Sequence, residues 1–348
     1  MFGWLETYSS TSVTSWNLRQ QRITCRALNK YFMNSTSFLR FIAIVLITNS
    51  HLDSLYPIPA LGTGGSIGNA LFFMLSGYGI FLSEKNQSRP FLSWYKRRIV
   101  RIYPTVTLVT LFLIIIPLKV WNKWVFMDYI KMLIWPTAYW FISALMVFYV
   151  IFFFILKMKN YKYFLTGIFI LIIPYLFFYI TMVDLSRYSI EGPGYFKWLF
   201  YLQTMFFGGY MAGRAKFAKT NFIKDGLALV LVIGFYYGIL ILMNRGCGWQ
   251  FQAVTHLLMF PILFLFLRVS ESDLITSLMN TKYIGAAISL LAGLTLEIYL
   301  LQYAVYSHSI IQSILFPLNI ITFWIVVIIL SFILNRVSRF ITKKLINA

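Results

Sequence analysis

Ten runs of apolar residues, each long enough to cross the roughly 30 Å hydrocarbon core of a bilayer, account for most of this 348-residue chain. They lie near 38–56, 66–83, 100–120, 138–157, 163–183, 195–213, 226–243, 249–267, 284–305 and 319–336. In lipid a backbone must satisfy its own hydrogen bonds, and runs of this length do so as helices. The predicted fold is therefore all-α, a polytopic membrane helix bundle of about ten transmembrane helices. With 59% hydrophobic and 11% charged residues and a mean hydropathy of +0.75, the chain is too apolar to hide its surface in a soluble domain.

The net charge of +20 is distributed in short basic clusters between the apolar runs. That pattern fits loops facing the cytoplasm and disfavours nucleic acid as a partner. With the N-terminus inside, 24 of the 30 Lys and Arg fall on the inner side, and none lies between Arg40 and Lys85. Both termini are therefore expected in the cytoplasm, with the bundle spanning the cell inner membrane. Residues 1–36 read as a polar cytoplasmic tail without a signal peptide, Met33 being a natural alternative start. Residues 37–340 read as the membrane domain, and 341–348 as a basic tail. No Pro-, Gly- or Ser-rich linker divides the bundle. Cys25 and Cys247 stand far apart and imply neither a disulfide nor a metal site. No HExxH or similar spacing occurs, and no metal is expected.

Arg40 and His51 are the most informative polar pair. On a continuous helix their eleven-residue separation is almost three turns, so both face one side about 16 Å apart. Ionisable groups at membrane depth point to function. An imidazole suits proton transfer near neutral pH, whereas an arginine near a helix start also serves simply as an interfacial anchor. Ser50, His51 and Asp53 are too close in sequence to converge as a triad on a helix. Arg97, Arg98 and Arg101 form the densest basic cluster, with Arg97 and Arg101 on one helix face and guanidinium chemistry suited to phosphate.

Ser76 and Gly77, amid bulky neighbours, predict a close helix contact. Gly62–Gly68 lacks the lysine of a phosphate loop and is set aside. Glu297, on the ninth run with Gln302, needs a partner, expected to be an arginine. His256 and His308 have no supporting neighbours in sequence and read as structural. The segment from Asp184 to Tyr195, with Arg187 and Glu191, is a candidate for encoding acceptor specificity.

The Arg40–His51 pair, Phe72-Phe-Met-Leu-Ser-Gly-Tyr78, Tyr95-Lys-Arg-Arg-Ile-Val-Arg-Ile-Tyr-Pro104, Tyr139-Trp-Phe-Ile and Leu294-Thr-Leu-Glu-Ile-Tyr-Leu resemble, in order, the integral-membrane acyltransferase 3 family over about 38–335. The resemblance implies transfer of an acyl group, usually acetyl, from cytoplasmic acyl-CoA to a hydroxyl of a cell-envelope glycan or lipid-linked saccharide. It makes His51 and Arg40 the essential pair, with His51 the general base. Arg97, Arg98 and Arg101 become the donor-binding cluster, and Ser76, Tyr78, Trp140, Glu297 and Tyr299 bind or support substrate. Two departures stand out. Gln302 replaces a histidine that many relatives carry, and no esterase-like domain follows the bundle, leaving transfer to the membrane domain or a separate partner. The rival readings are a transporter or flippase for a lipid-linked glycan and, less in keeping with the few outer-loop arginines, a glycan polymerase.

Overall fold

The computed structural model describes residues 34–84, 89–115, 125–136, 139–192, 194–214 and 220–347. The predicted tail before residue 34, including Cys25, lies outside the described residues. These form helices α1 (34–49), α2 (Gly65–Glu84), α3 (Phe91–Ile115), α4 (Phe126–Ile134), α5 (Trp140–Lys157), α6 (Lys162–Met182) and α7 (Gly194–Gly213). There follow α8 (Phe222–Asn244), α9 (Ala253–Ser270), α10 (Asp273–Asn280), α11 (Ile284–Gly293), α12 (Thr295–Tyr306), α13 (Ser309–Ser313) and α14 (Leu318–Asn347). No strand occurs among the described residues.

Six helical segments are long and apolar enough by themselves to cross a membrane, the one containing α2 together with α5, α6, α8, α9 and α14. A seventh results if α10 and α11, bent by 90° at their junction, count as one. The remaining predicted spans are each helical but differ from simple spans. The first predicted span, 38–56, ends as a helix at residue 49. The predicted 284–305 run is two helices, α11 and α12, joined at Leu294. The count of ten and the placement of the termini rest on the sequence.

Polar side chains explain where α1 stops. Asn49 Nδ2 donates to the carbonyls of Leu61 (2.8 Å) and Thr63 (2.9 Å), while its Oδ1 accepts from Tyr56 Oη at 2.6 Å. Ser50 Oγ donates to the Ile47 carbonyl at 2.7 Å. These bonds offer the backbone an alternative to another helical turn, and they gather residues 50–64 into a folded cap. Gly64, at φ +100°, makes the reversal into α2 that a side chain would oppose.

The centre of the bundle is α2 against α7. A Cβ added at Gly77 would strike the Met205 carbonyl, and one at Gly208 would strike that of Met74, so two glycines bring the backbones together as the sequence predicts. More than half of α2 and α5 is buried (56%), against 11% of α6. The α6 residues Phe169, Ile173 and Ile180 accordingly point outward, as lipid-facing side chains should. On the other side α14 packs against α3 and α12. Pro104 lies inside α3 and cannot bond back to the Val100 carbonyl, and Thr342 Oγ1 of α14 donates to that carbonyl instead at 3.3 Å. Nearby, Thr105 Oγ1 donates to Ser338 Oγ at 3.0 Å.

Candidate functional site

A cavity of about 540 Å³ lies at the seam where α1, α2 and α5 meet α3, α12 and α14. It brings together Arg40, Ser76, Arg101, Glu297 and Tyr299, five residues chosen from sequence, and adds Tyr149, Asn335 and Arg339. Arg40 and Arg101 face this space and are near enough to repel one another, with Tyr149 within electrostatic reach of both. Neither guanidinium has a carboxylate within ion-pair distance among the described residues. Two like charges sharing a cavity leave a strong preference for an anion.

Glu297 is buried, and its expected arginine partner is replaced by an amide: Asn335 Nδ2 donates to Glu297 Oε1 at 2.7 Å. Arg339 contributes through space only. Ser76 Oγ donates to the Phe72 carbonyl at 2.9 Å, which satisfies its hydroxyl hydrogen inside its own helix. Tyr78 is buried in the core and does not line the cavity. Trp140 stands away from the cavity wall, packed on Phe73, Phe141 and Tyr201, with the Lys197 ammonium 4.4 Å from its ring.

At one end the cavity meets a basic hollow of about 410 Å³ lined by Arg89, Arg97, Arg98 and Arg101, with Arg101 common to both. Arg98 is held in place: its guanidinium lies 4.8 Å from the Trp94 ring and 5.8 Å from Tyr149, and 3.6 Å separates it from Glu84. Glu84, with a side chain only 4% exposed, also bonds Arg89 at 3.0 Å. Its charge is thereby matched by two cations, leaving Arg97 and Arg101 uncommitted.

His51 lies one turn past the other end. Ile47 and Tyr299 line the cavity, and four residues beyond each stand His51 and Tyr303. His51 Nδ1 is hydrogen-bonded to Tyr303 Oη at 2.9 Å, and the two rings are 4.7 Å apart. Because α1 ends at residue 49, His51 occupies the turn after it, so the three-turn alignment with Arg40 holds only up to the helix end. The nine-residue rise from Arg40 to the end of α1 is about 14 Å, so the two side chains stay well apart. Ser50 turns back to Ile47, and Asp53 Oδ1 accepts from the Ser54 amide at 2.8 Å, so the local triad does not form. Tyr303 is the functional candidate that the sequence reading passed over. Its i, i+4 relation to Tyr299 on α12 was the available signal.

The outer-loop residues form a separate polar cluster. The Gln252 side chain makes four hydrogen bonds to the 184–190 loop: Nε2 donates to the Asp184 and Arg187 carbonyls, and Oε1 accepts from the Ser189 and Ile190 amides. Asp184 is held below the usual carboxylate range by the hydroxyl and amide of Ser186, with Arg187 Nε adding a 2.9 Å ion pair. His256, expected to lack neighbours, is surrounded: Tyr175 Oη lies 2.9 Å from Nδ1, Phe200 stacks at 3.7 Å, and Glu191 Oε1 is 3.5 Å from Nε2. That last contact lacks hydrogen-bond geometry. Burial pushes the Glu191 carboxyl up, but His256, Ser66 and Lys197 outweigh it and leave it below its ordinary value. His308 caps α13, its Nδ1 accepting from the Ile310 amide at 3.3 Å.

A family model described as an acyltransferase domain, that of the acyltransferase 3 family, matches residues 34–336. No curated protein and no solved structure matches the chain. The matched region includes α1 to α13, most of α14, and the lining of the cavity except Ser338, Arg339 and Thr342. The chain belongs to the acyltransferase 3 family and is a multi-pass membrane acyltransferase.

Proposed function

We propose that this protein transfers an acyl group, most simply acetyl, from acyl-CoA at the basic end of the cavity to a hydroxyl of a cell-envelope glycan or lipid-linked saccharide at the His51 end. The observation that carries this reading is the cavity itself, which joins an arginine-lined mouth to the vicinity of a histidine–tyrosine pair. Coenzyme A is a polyanion on a long, thin thioester arm. Its phosphates suit Arg97 and Arg101, which have no competing carboxylate of their own, and its arm suits the narrow cavity beyond.

The separation of the two ends divides the labour. Arg40 stands too far from His51 to reach the same reacting carbonyl, so it grips the donor near Arg101. Tyr303 Oη lies nearer to His51 Nδ1 (2.9 Å) than to Nε2 (3.4 Å), and in the tautomer whose Nδ1–H donates to it, Nε2 is the proton acceptor. Nε2 takes the proton of the sugar hydroxyl as its oxygen attacks the thioester carbonyl. The tetrahedral intermediate then collapses, the C–S bond breaks, and the thiolate leaves with the proton returned by His51. Such a base contributes about 10²- to 10⁴-fold.

The test is acetyl-CoA turnover by purified protein in lipid, with envelope glycan extract as acceptor, comparing wild type with His51→Ala. Acetyl transfer that disappears in the variant supports the reading. Normal transfer by the variant removes His51 from the mechanism, and no turnover with any acyl donor by folded protein returns the transporter reading.

A further inference from the structure

A second hollow adjoins the arginine cluster on the side away from the cavity. It measures about 550 Å³ and lies under the α5–α6 turn, where Lys157, Lys159, Asn160 and Tyr161 line it. Glu84, Arg89 and Trp94 line this hollow and the arginine hollow alike, so the two are neighbours across a shared wall. Nothing in the transfer chemistry uses the second hollow.

Three observations say what it accepts. The first is charge. Six cations and one carboxylate line the two hollows together, and Glu84 is already matched by Arg89 and Arg98. Coenzyme A brings a diphosphate and a separate ribose 3′-phosphate, about four negative charges at neutral pH. Two adjoining basic hollows offer separate places for two phosphate groups that a ribose holds apart. The second is Trp94. It is 1% exposed, and its indole N–H finds no acceptor among the described residues. A buried donor left unmatched is costly, and Trp94 stands in the wall between the hollows, where a ligand oxygen would meet it. The third is the turn. Lys159 is the only described non-glycine residue at positive φ, +58°. Around it Lys157 Nζ donates to the Arg89 carbonyl at 2.9 Å, and Asn160 Oδ1 accepts from the Lys162 amide at 3.0 Å. A conformation that a lysine rarely adopts is thus held by bonds on both sides, which fixes where its ammonium departs from the chain.

We infer that the second hollow is the nucleotide subsite of the donor: the ribose 3′-phosphate pairs with Lys159, the diphosphate lies on Arg97 and Arg101, and Trp94 Nε1 donates to an oxygen between them. This rests on the acyl-CoA reading above and adds a discrimination that the arginine cluster alone does not provide. Free CoA should bind more tightly than 3′-dephospho-CoA, and the difference should reside in Lys159.

The experiment measures binding of CoA, 3′-dephospho-CoA and 4′-phosphopantetheine by calorimetry, using wild type, Lys159→Asn and Trp94→Phe in phosphatidylcholine nanodiscs. Asparagine tolerates the left-handed conformation, so Lys159→Asn removes the charge without disturbing the turn. Wild type should bind CoA at least about tenfold more tightly than 3′-dephospho-CoA, the worth of one charged hydrogen bond. Lys159→Asn should abolish that difference while holding 3′-dephospho-CoA within about twofold of wild type. Trp94→Phe should weaken both nucleotides severalfold. If wild type binds CoA and both variants bind it equally well, the subsite is wrong while the donor reading stands. If no protein binds any of the three, the donor reading itself falls. If phosphatidylglycerol added to the nanodisc displaces the nucleotides without 3′-phosphate discrimination, the hollow holds lipid phosphate and the proposal is overturned.

Discussion

Tyr303→Phe isolates the contact that prepares His51. The substitution removes one hydroxyl and keeps the ring, so the 4.7 Å packing between the two side chains survives while the 2.9 Å bond to Nδ1 is lost. Of its near neighbours in sequence, Asp53 Oδ1 already accepts from the Ser54 amide and the Ser50 hydroxyl already donates to Ile47. A neutral hydrogen bond that fixes tautomer and ring orientation is worth about 1–1.5 kcal/mol, which appears in the rate as about 5- to 12-fold. On the proposed mechanism the loss should fall on kcat, since the donor is gripped at the arginine end of the cavity, away from His51. Steady-state acetyl transfer in nanodiscs, varying acetyl-CoA at saturating glycan, separates the two parameters. His51→Ala serves as the lower bound, at about 10²- to 10⁴-fold. Equal kcat in Tyr303→Phe and wild type, or a change confined to the donor KM, would refute the orienting role.

Three further outcomes are expected. Arg101→Ala removes a cation shared by the arginine hollow and the cavity, and should raise the acetyl-CoA KM by about tenfold or more, the cost of a lost charged hydrogen bond. Gly77→Ala drives a methyl into the Met205 carbonyl and should cost about 1–3 kcal/mol in thermal unfolding, whereas Gly234→Ala, with open space around it, should cost nothing. Glu191 is held below its ordinary value, so its contribution is present above the unfolded carboxyl pKa and is lost as pH falls through the lower folded one. Melting temperatures measured below about pH 4.5 should therefore fall more steeply in wild type than in Glu191→Gln.

What the sequence made legible was local. Apolar runs located a helix for every predicted span, because membrane thickness and helix rise set their length. Ser76-Gly77 marked a close contact, and Gly77 does meet α7 across it. The helices that fall short of simple spans are instructive, since α1 carries Arg40, α3 carries Arg97 to Arg101, and α12 carries Glu297 and Gln302. Polarity needed to build the site lowers the signal by which a span is recognised. The missed side-chain partners were all long-range. Tyr303 is 252 residues from His51, Asn335 is 38 from Glu297, and the partners of His256 come from 65 and 81 residues earlier. Periodicity within one helix carries no information about which face of another will meet it. The break at Leu294 was likewise hidden, since Gly293-Leu294-Thr295 contains no proline and glycine is tolerated inside membrane helices.

Gln302 provides the last test, because the family resemblance implies a histidine at this position. It is fully buried, and neither its amide oxygen nor its nitrogen has a hydrogen-bond partner among the described residues. An amide neither accepts nor releases a proton near neutral pH, so it cannot inherit an acid–base role. On the proposed mechanism the single described histidine near the end of the cavity, His51, then supplies both the acceptor and the donor step. Replacing an unmatched buried amide with an apolar group of similar shape removes a desolvation penalty of about 1–3 kcal/mol. Gln302→Leu should therefore unfold at an equal or higher temperature and retain acetyl transfer. Loss of transfer in a protein that melts normally would mean that the amide touches substrate, and the proton path through His51 alone would have to be redrawn around Gln302.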